Sequence, residues 1–196
     1  KLERSEVVVH RPHRRELDRL AGGGNHQGVV MRYRGTPARG EAELAELLTV
    51  TAAPLLLVLD RVQDPHNLGA CLRSAAAAGV DGVIAPRDHA AALSPVVHKV
   101  AAGGGQRVPF FQVTNLARSL AALQKAGVVT VGAVGDAEKS LYETDLSGSL
   151  ALLLGGEGGG LRRLTRERCD FLAAIPMPGP MESLNVSVAA GVFLFE

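Results

Sequence analysis

Two polar residues six positions apart, Asn67 and Arg73, follow an aliphatic run that ends at Asp60. They lie in "DPHNLGACLRSA" (64–75), where an Asp-Pro turn places Asn67 at the expected start of a helix. The simplest role for Asn67 is a helix N-cap that accepts a backbone N–H. Arg73 is either a solvated side chain or a ligand-facing one, because open parallel sheets bind ligands at the carboxyl ends of their strands.

A glycine-rich stretch, "LLLGGEGGGLRR" (152–163), is the second candidate for chemistry. Walker spacing counted from Gly155 reaches Gly160 and then meets Leu-Arg instead of Lys-Ser/Thr, and no start gives G-x-G-x-x-G. These failures argue against a nucleotide-dependent kinase or dehydrogenase. A merely flexible turn is also disfavoured, because ordering five glycines costs considerable entropy. We therefore expect a loop whose backbone lies flush against a flat or neutral ligand, with the Glu157 carboxylate at its centre.

The third candidate stretch is "IPMPGPMESLNVSVAAGVFLFE" (175–196), in which Ser183 and Asn185 precede an apolar segment. Both residues suit a helix N-cap, and both suit a polar site. A helix that is apolar on nearly every side must be buried, either within its own domain or against another subunit. The second option predicts an interface.

The elements that must position these residues follow an α/β pattern. Continuous apolar runs predict strands buried on both faces, and they alternate with segments of helical period that end at Gly79 and Gly127. We therefore predict a mainly parallel sheet flanked by helices. The expected strands are 55–60, 82–86, 109–113, 128–134, 150–156 and 171–177, and the expected helices are 68–79, 93–104, 116–127 and 185–196.

Residues 1–50 differ in composition from the rest of the chain. "EVVVH" (6–10) suits a strand and "RRELDRLAG" (14–22) a helix, but 22–41 is rich in Gly, Arg and turn formers. We place a domain boundary near residue 50, with 1–50 as a connector or arm and 51–196 as the main domain.

Composition narrows the function classes further. No apolar run is long enough for a membrane span, which predicts a soluble protein. The two cysteines match no metal or redox spacing, so we expect no metal and a reducing cytoplasm. The net charge is only +1, so a polyanion would have to be held by local basic clusters. The two possible clusters, 10–17 and 161–168, suit solvated faces equally well.

Taken together, the three stretches resemble the signature motifs of the SpoU family, also called the TrmH family, of RNA ribose 2′-O-methyltransferases. The motifs appear here, in the family's order and spacing, as "NLGACLR", "LGGEGGGLRR" and "IPMPGPMESLNVSVAAG". The resemblance covers roughly residues 55–196. The strings "VTNLARSL", "LTRERCD" and "NHQGVV" are similar to the bacterial branch that methylates a guanosine in the peptidyl-transferase region of 23S ribosomal RNA.

This resemblance implies a SPOUT-type α/β fold with a C-terminal trefoil knot, S-adenosylmethionine as cofactor and a homodimer. Residues 1–50 would then be the remnant of an N-terminal RNA-binding domain plus a linker, and 51–196 the catalytic domain. The family often has Ala at the position of Gly156, and we expect that difference only to loosen the loop. By matching position, the implied cofactor-binding residues are Gly155, Gly156, Ile175, Met177 and Leu184, and the implied catalytic residues are Asn67, Arg73, Glu157, Ser183 and Asn185.

The implied chemistry suits these residue types. A ribose 2′-hydroxyl is a very weak acid, and the motifs offer no histidine as a base. Arg73 is therefore expected to clamp a phosphate and stabilise the developing alkoxide, or to accept the proton, and the sequence leaves both roles open. Glu157 would hold Arg73 or another basic group. Asn67, Ser183 and Asn185 would bind the ribose or orient Arg73.

Two other functions are compatible with the motifs. One is a transfer-RNA 2′-O-methyltransferase of the same family. The other is a catalytically silent RNA-binding or resistance module that keeps the fold, although the intact polar set argues against it.

Overall fold

The computed structural model describes residues 8–32 and 35–196, and the chain divides into two compact units, 1–34 and 35–196. The first unit contains helix α1, Arg14–Leu20, within the segment predicted to be helical. Near it, the His26 ring accepts a hydrogen bond from the Gly28 N–H (3.0 Å), and its Nε2 is hydrogen-bonded to the Asp18 carboxylate (2.9 Å). A strand was predicted for residues 6–10. Residues 8–10 form no strand, and residues 6 and 7 lie outside the described residues.

The second unit is built on a parallel six-stranded sheet in the order β3-β2-β1-β5-β4-β6. This confirms the predicted α/β class, and every predicted strand of the main domain is present, although the last is shortened to three residues. The strands are β1 Leu55–Asp60, β2 Gly82–Pro86, β3 Phe110–Val113, β4 Val129–Ala133, β5 Leu150–Gly155 and β6 Phe171–Ala173.

The helices of this unit cover both faces of the sheet. Helix α3 begins earlier than predicted, because Asp64 caps it by accepting the His66 N–H (2.9 Å) and Pro65 occupies its first turn. Asn67 is therefore inside the helix and is not its cap. The helices are α2 Glu41–Val50, α3 Pro65–Ala78, α4 Pro95–Ala101, α5 Gly104–Arg107, α6 Leu116–Lys125, α7 Arg163–Arg166 and α8 Val186–Leu194, with a 3-10 helix at Leu141–Glu143.

Two hydrophobic cores lie on opposite faces of the sheet. Alternate residues of β1 separate into them, with Leu57 and Leu59 in one and Leu56 and Val58 in the other. The first core includes residues of α3 and α8, and the second includes residues of α2 and α6. Burial on both faces explains why the central strands are continuously apolar.

Helix α2 was not predicted, since it lies in the segment that we described as a connector. Its Leu44 is buried in the second core, and Glu41 accepts a hydrogen bond from the Thr114 N–H (2.6 Å) beyond β3. This bond lowers the pKa of Glu41. The compact unit accordingly begins at Gly35, whereas the predicted catalytic domain begins at residue 51.

The short edge strand β6 is held by Asp170, which precedes it. The Asp170 carboxylate accepts hydrogen bonds from the Thr130 N–H (2.9 Å) and hydroxyl (2.7 Å). Burial alone would raise the pKa of Asp170, but these bonds and one from Gln124 outweigh it, so that the pKa is lowered. The bonds fix the point from which the chain enters residues 174–185.

The carboxyl end of β1 is joined to the glycine-rich loop by an ion pair between the buried Asp60 and the partly exposed Arg162. Asp60 has no exposed surface, and its Oδ1 accepts from Arg162 Nε at 2.7 Å and lies 2.7 Å from Nη2. Its Oδ2 accepts the Arg162 backbone N–H at 3.2 Å, and its carbonyl accepts the Gly156 N–H at 2.8 Å. One residue thus holds both ends of the loop 156–161.

None of the helices in the described ranges has the length and apolar character needed to cross a membrane.

The Arg162→Ala substitution is expected to lower the free energy of unfolding by about 3–5 kcal/mol, because it leaves the buried Asp60 carboxylate without its counter-charge. The matched control is Arg163→Ala, since Arg163 pairs with Glu167 on the surface, where both side chains are more than half exposed. That loss should be below about 1 kcal/mol. Urea denaturation measures both, and equal losses for the two variants would contradict the assigned role of Asp60.

Candidate functional site

A pocket of about 660 Å³ lies at the carboxyl edge of the sheet. Its walls come from the ends of β4 and β5, the glycine-rich loop, the segment after β6 and the buried face of α8. This is the place where open parallel sheets bind ligands. The lining includes all five predicted cofactor-binding residues, which are Gly155, Gly156, Ile175, Met177 and Leu184.

The first two glycines of the loop are required by close backbone approach. A Cβ on Gly155 would lie 1.8 Å from the carbonyl carbon of Gly160, and one on Gly156 would lie 2.2 Å from the carbonyl oxygen of Arg61. We expected Gly156 to differ little from Ala, and this expectation is wrong for the loop as folded here. An Ala at this position would force the loop or residue 61 to move.

A chain of hydrogen bonds connects three of the predicted catalytic residues. Asn185 caps α8 by accepting the Ser187 N–H (2.9 Å), while its Nδ2 donates to Asn67 Oδ1 (2.9 Å). Asn67 Nδ2 in turn donates to Glu157. Each asparagine is therefore fixed in orientation, because its oxygen accepts and its nitrogen donates. Glu157 was expected to hold an arginine, but its partner is Asn67.

The remaining two predicted catalytic residues lie apart from this chain. Ser183 lines the pocket and is exposed. Arg73 is exposed on α3 and does not line the pocket. Six residues along a helix span about one and two-thirds turns, so Arg73 projects from a different side of α3 than Asn67 does. The structure therefore brings together the two asparagines and Glu157, but leaves Arg73 outside.

The sequence analysis did not identify several residues that shape this pocket. Asp136 and Arg166 both line it and form an ion pair of 2.9 Å. The Asp60–Arg162 pair was missed as well. An aspartate that ends a fully apolar strand is a signal for a buried partner, but the sequence does not indicate which of the arginines after the glycine loop provides it.

Neither cysteine belongs to the site chemistry. Burial raises the pKa of the Cys71 thiol to about 12, and Glu157 contributes further. Burial likewise raises the pKa of Cys169 to about 12. Both are free thiols and stay protonated near neutral pH, which makes them poor nucleophiles and ligands. Among the described residues there is no group of three or more His, Cys, Asp or Glu able to hold a metal ion.

The pocket has the size of a nucleoside-containing ligand, and its lining includes the charged side chains of Asp136, Glu157, Arg166 and Glu182. Its volume lies within the usual range of about 300–1,000 Å³ for small-molecule sites. The glycines allow backbone groups to contact the ligand closely, and Leu184 and Ile175 supply apolar surface. The lining contains no lysine that would mark a triphosphate site. These features fit S-adenosylmethionine, which carries no phosphate.

Comparison with known proteins identifies relatives of this chain. Residues 54–195 match the model of the SpoU rRNA Methylase family. The chain is 55% identical over 183 residues to the 23S rRNA (guanosine-2′-O-)-methyltransferase RlmB of Shewanella oneidensis, covering 93% of this chain and 74% of that protein. It is 56% identical to the protein of the same name from Xylella fastidiosa, covering 98% and 78% of the two chains.

Solved structures show the same architecture. The SpoU methyltransferase AviRb of Streptomyces viridochromogenes, in complex with AdoMet, superposes with a TM-score of 0.72 at 30% identity, covering 82% of this chain and 64% of that one. The TrmH/SpoU tRNA-modifying enzyme of A. aeolicus superposes with a TM-score of 0.66 at 27% identity, covering 79% and 78%.

The Gly155→Ala substitution tests the close approach within the loop. Because the new Cβ would overlap the Gly160 backbone, we expect S-adenosylmethionine affinity to fall at least about tenfold and Tm to fall as well. Gly159→Ala is the matched control, since no atom lies within 4 Å of a Cβ built there and its φ is not in the left-handed region. Calorimetry and thermal denaturation measure both effects, and normal cofactor binding by the Gly155 variant would refute the close approach.

Proposed function

The chain belongs to the SpoU rRNA methylase family, and from this we infer that it transfers the methyl group of S-adenosylmethionine to the ribose 2′-hydroxyl of a guanosine in 23S ribosomal RNA. The observation that carries this proposal is the glycine-rich pocket joined to the Asn67–Glu157–Asn185 chain. It favours an enzyme over a catalytically silent RNA-binding module, because a transferase requires polar side chains in fixed orientations beside its cofactor pocket. The names of the relatives favour ribosomal over transfer RNA.

The cofactor would be held mainly by backbone and apolar groups. We assign Gly155 and Gly156 to the close backbone contacts, and Ile175, Met177 and Leu184 to the apolar ones, because all five line the pocket. S-adenosylmethionine supplies a methyl group that is already electrophilic, so the chain's task is to align the 2′-hydroxyl and stabilise the charge that develops on it.

The polar residues divide that task. Asn67 and Asn185 orient each other and Glu157, so that Glu157 and the exposed Ser183 are presented at the pocket as acceptors for ribose hydroxyls. Arg73 has its guanidinium in solvent on α3 and clamps the phosphate next to the reacting ribose, where its charge stabilises the developing alkoxide. A guanidinium is permanently protonated, which favours this role over that of a base.

The target nucleotide that we propose is a guanosine of the peptidyl-transferase region, on the likeness of "NHQGVV" and "LTRERCD" to that branch of the family. Such a substrate would place the reaction in the bacterial cytoplasm. We propose that the N-terminal residues before α2 contribute to RNA binding and that residues 51–196 carry the catalytic and cofactor-binding residues.

We further propose the trefoil knot of this family for the C-terminal part of the chain. After edge strand β6, residues 175, 177 and 182–186 line the same pocket as residues 154–161, and α8 then packs with α3 in the first core. A chain threaded past the glycine-rich loop would produce this arrangement, which departs from the usual unknotted connections.

A homodimer is the proposed assembly, with the outer face of α8 in the interface. Val186, Ala190 and Phe193 are buried in the chain's own core, so one side of the helix is covered within its own domain. Val188 and Phe195 remain 51% and 66% exposed. Apolar side chains this exposed, one on α8 and one directly after it, are typical of a contact surface.

The function is tested by incubating the protein with labelled S-adenosylmethionine and unmodified 23S ribosomal RNA, and mapping the methylated nucleotide. One 2′-O-methylguanosine in the peptidyl-transferase region is expected. Label on transfer RNA in its place would favour the other substrate class, and S-adenosylmethionine binding without transfer to any RNA would favour a silent module.

In the same assay, Arg73→Ala should reduce turnover by about 10²- to 10³-fold, the usual loss for one charge-stabilising donor. S-adenosylmethionine affinity should be nearly unchanged, because Arg73 does not line the pocket. Arg73→Lys keeps the charge without the two-pronged geometry and should recover little activity. The control is Arg118→Ala, another exposed helical arginine. Parent-like turnover by Arg73→Ala would reduce Arg73 to a solvated side chain.

The dimer is tested with Val188→Asp and Phe195→Asp, which place charges at the exposed positions on α8 and directly after it. Light scattering should give twice the chain mass for the parent and the single mass for the double variant. Since both side chains lie outside the core, Tm should fall only through loss of the partner. We predict the opposite for Phe193→Asp, which would unfold the chain itself because Phe193 is buried. A monomeric parent at micromolar concentration would contradict the proposal.

A further inference from the structure

Arg61, the residue directly after β1, has a backbone conformation that is unfavourable for its type. Its φ is +64°, in the left-handed region where residues with a Cβ are strained. Three other described residues that are not glycine have positive φ: Gln27, His89 and Ala102. Ala102 terminates a helix, where this conformation is common, but Arg61 terminates none.

The backbone on each side of Arg61 is held firmly. Asp60 is buried and ion-paired, and Val62 is buried and accepts the Ala91 N–H at 2.8 Å. The Arg61 carbonyl oxygen lies against Gly156, and Gly156 lines the pocket. The exposed Arg61 side chain is therefore presented from a rigid backbone immediately beside the site.

The Arg61 guanidinium makes no hydrogen bond or ion pair with the described part of the chain, although two carboxylates lie within three residues of it in sequence. Asp60 is paired with Arg162, and Asp64 caps α3. Other arginines near the pocket are paired: Arg162 with Asp60, Arg163 with Glu167 and Arg166 with Asp136. Among the described residues, the Arg61 side chain therefore makes no polar interaction that would offset the strain of its backbone.

Arg73 is the other arginine of this β1–α3 segment, and its side chain too has no ion pair or hydrogen bond with the described residues. Two unpaired guanidinium groups thus extend from the segment that carries Asn67. A strained residue whose side chain makes no hydrogen bond or ion pair within the described residues is expected where the side chain serves a ligand. An exposed guanidinium group is permanently charged and presents parallel N–H donors. The ligand group that suits it is the phosphodiester of a nucleic acid backbone.

We propose that Arg61 is an RNA-binding residue that contacts a backbone phosphate of the substrate strand beside the reacting nucleotide. This inference rests on the proposed function, since it assumes that RNA reaches this edge of the sheet. Arg61 positions the strand and does not contact the cofactor, because it does not line the pocket. The left-handed backbone at residue 61 is maintained at a cost in stability that the RNA contact explains.

The test is Arg61→Gly, because glycine adopts this φ without strain. KM for the RNA should rise by about tenfold, as for loss of one charged hydrogen bond, while S-adenosylmethionine affinity stays at the parent value. Tm should not fall, since the strain is relieved. The slope of log KM against log salt concentration should become shallower by about 0.7 to 0.9, the contribution of one phosphate contact.

Two further variants separate charge from backbone effects. Arg61→Lys should keep the parent salt slope. Lys125→Ala removes an exposed cation at the end of α6. The chain enters β4 directly after this helix, so Lys125 lies near the amino ends of the strands, opposite to the pocket. This variant should also leave the slope unchanged. A parent-like KM and slope for Arg61→Gly, measured while the parent methylates RNA, would overturn the role of Arg61 alone. Failure of the parent to methylate RNA would instead overturn the proposed function.

Discussion

The architecture of the site depends on the buried carboxylate of Asp60. A charge without exposed surface is costly unless it is paired, and here it is paired with Arg162 and with the Arg162 backbone N–H. Because Asp60 ends β1 and Arg162 follows the glycine-rich loop, the pair closes that loop against the sheet. The absence of side chains at Gly155 and Gly156 follows from how closely these backbones then pass.

The second consequence is that distant segments meet beside the pocket. Asn67 lies on α3, Glu157 in the loop and Asn185 at the start of α8, and each is fixed by its neighbour in one hydrogen-bonded chain. Such a chain gives the polar groups defined orientations without a metal or a histidine. Arg73 and Arg61 lie outside it, in solvent, which suits groups that act on the RNA backbone and not on the cofactor.

Much of the fold could be predicted from the sequence, because the central strands are buried on both faces and read as continuous apolar runs. Strands β1 and β2 were predicted with their observed bounds. Helix α2 was missed, since its apolar residues pack against β3, a contact set by tertiary structure. The start of α3 was predicted three residues too late, because Asp64 and not Asn67 is the N-cap of the helix. The cofactor-binding residues were implied by the family resemblance, whereas the Asp60–Arg162 pair joins residues 102 positions apart and required the structure.

We expect the glycine-rich loop 156–161 to be folded against the sheet before S-adenosylmethionine binds. Hydrogen exchange of the Gly156 amide tests it most directly, because that N–H donates to the Asp60 carbonyl at 2.8 Å. In the protein without S-adenosylmethionine, this amide should be protected to a degree comparable with the amides of β5. Exchange at the rate of an unstructured peptide, with protection appearing only after S-adenosylmethionine is added, would mean that the ligand assembles the loop and would contradict the account.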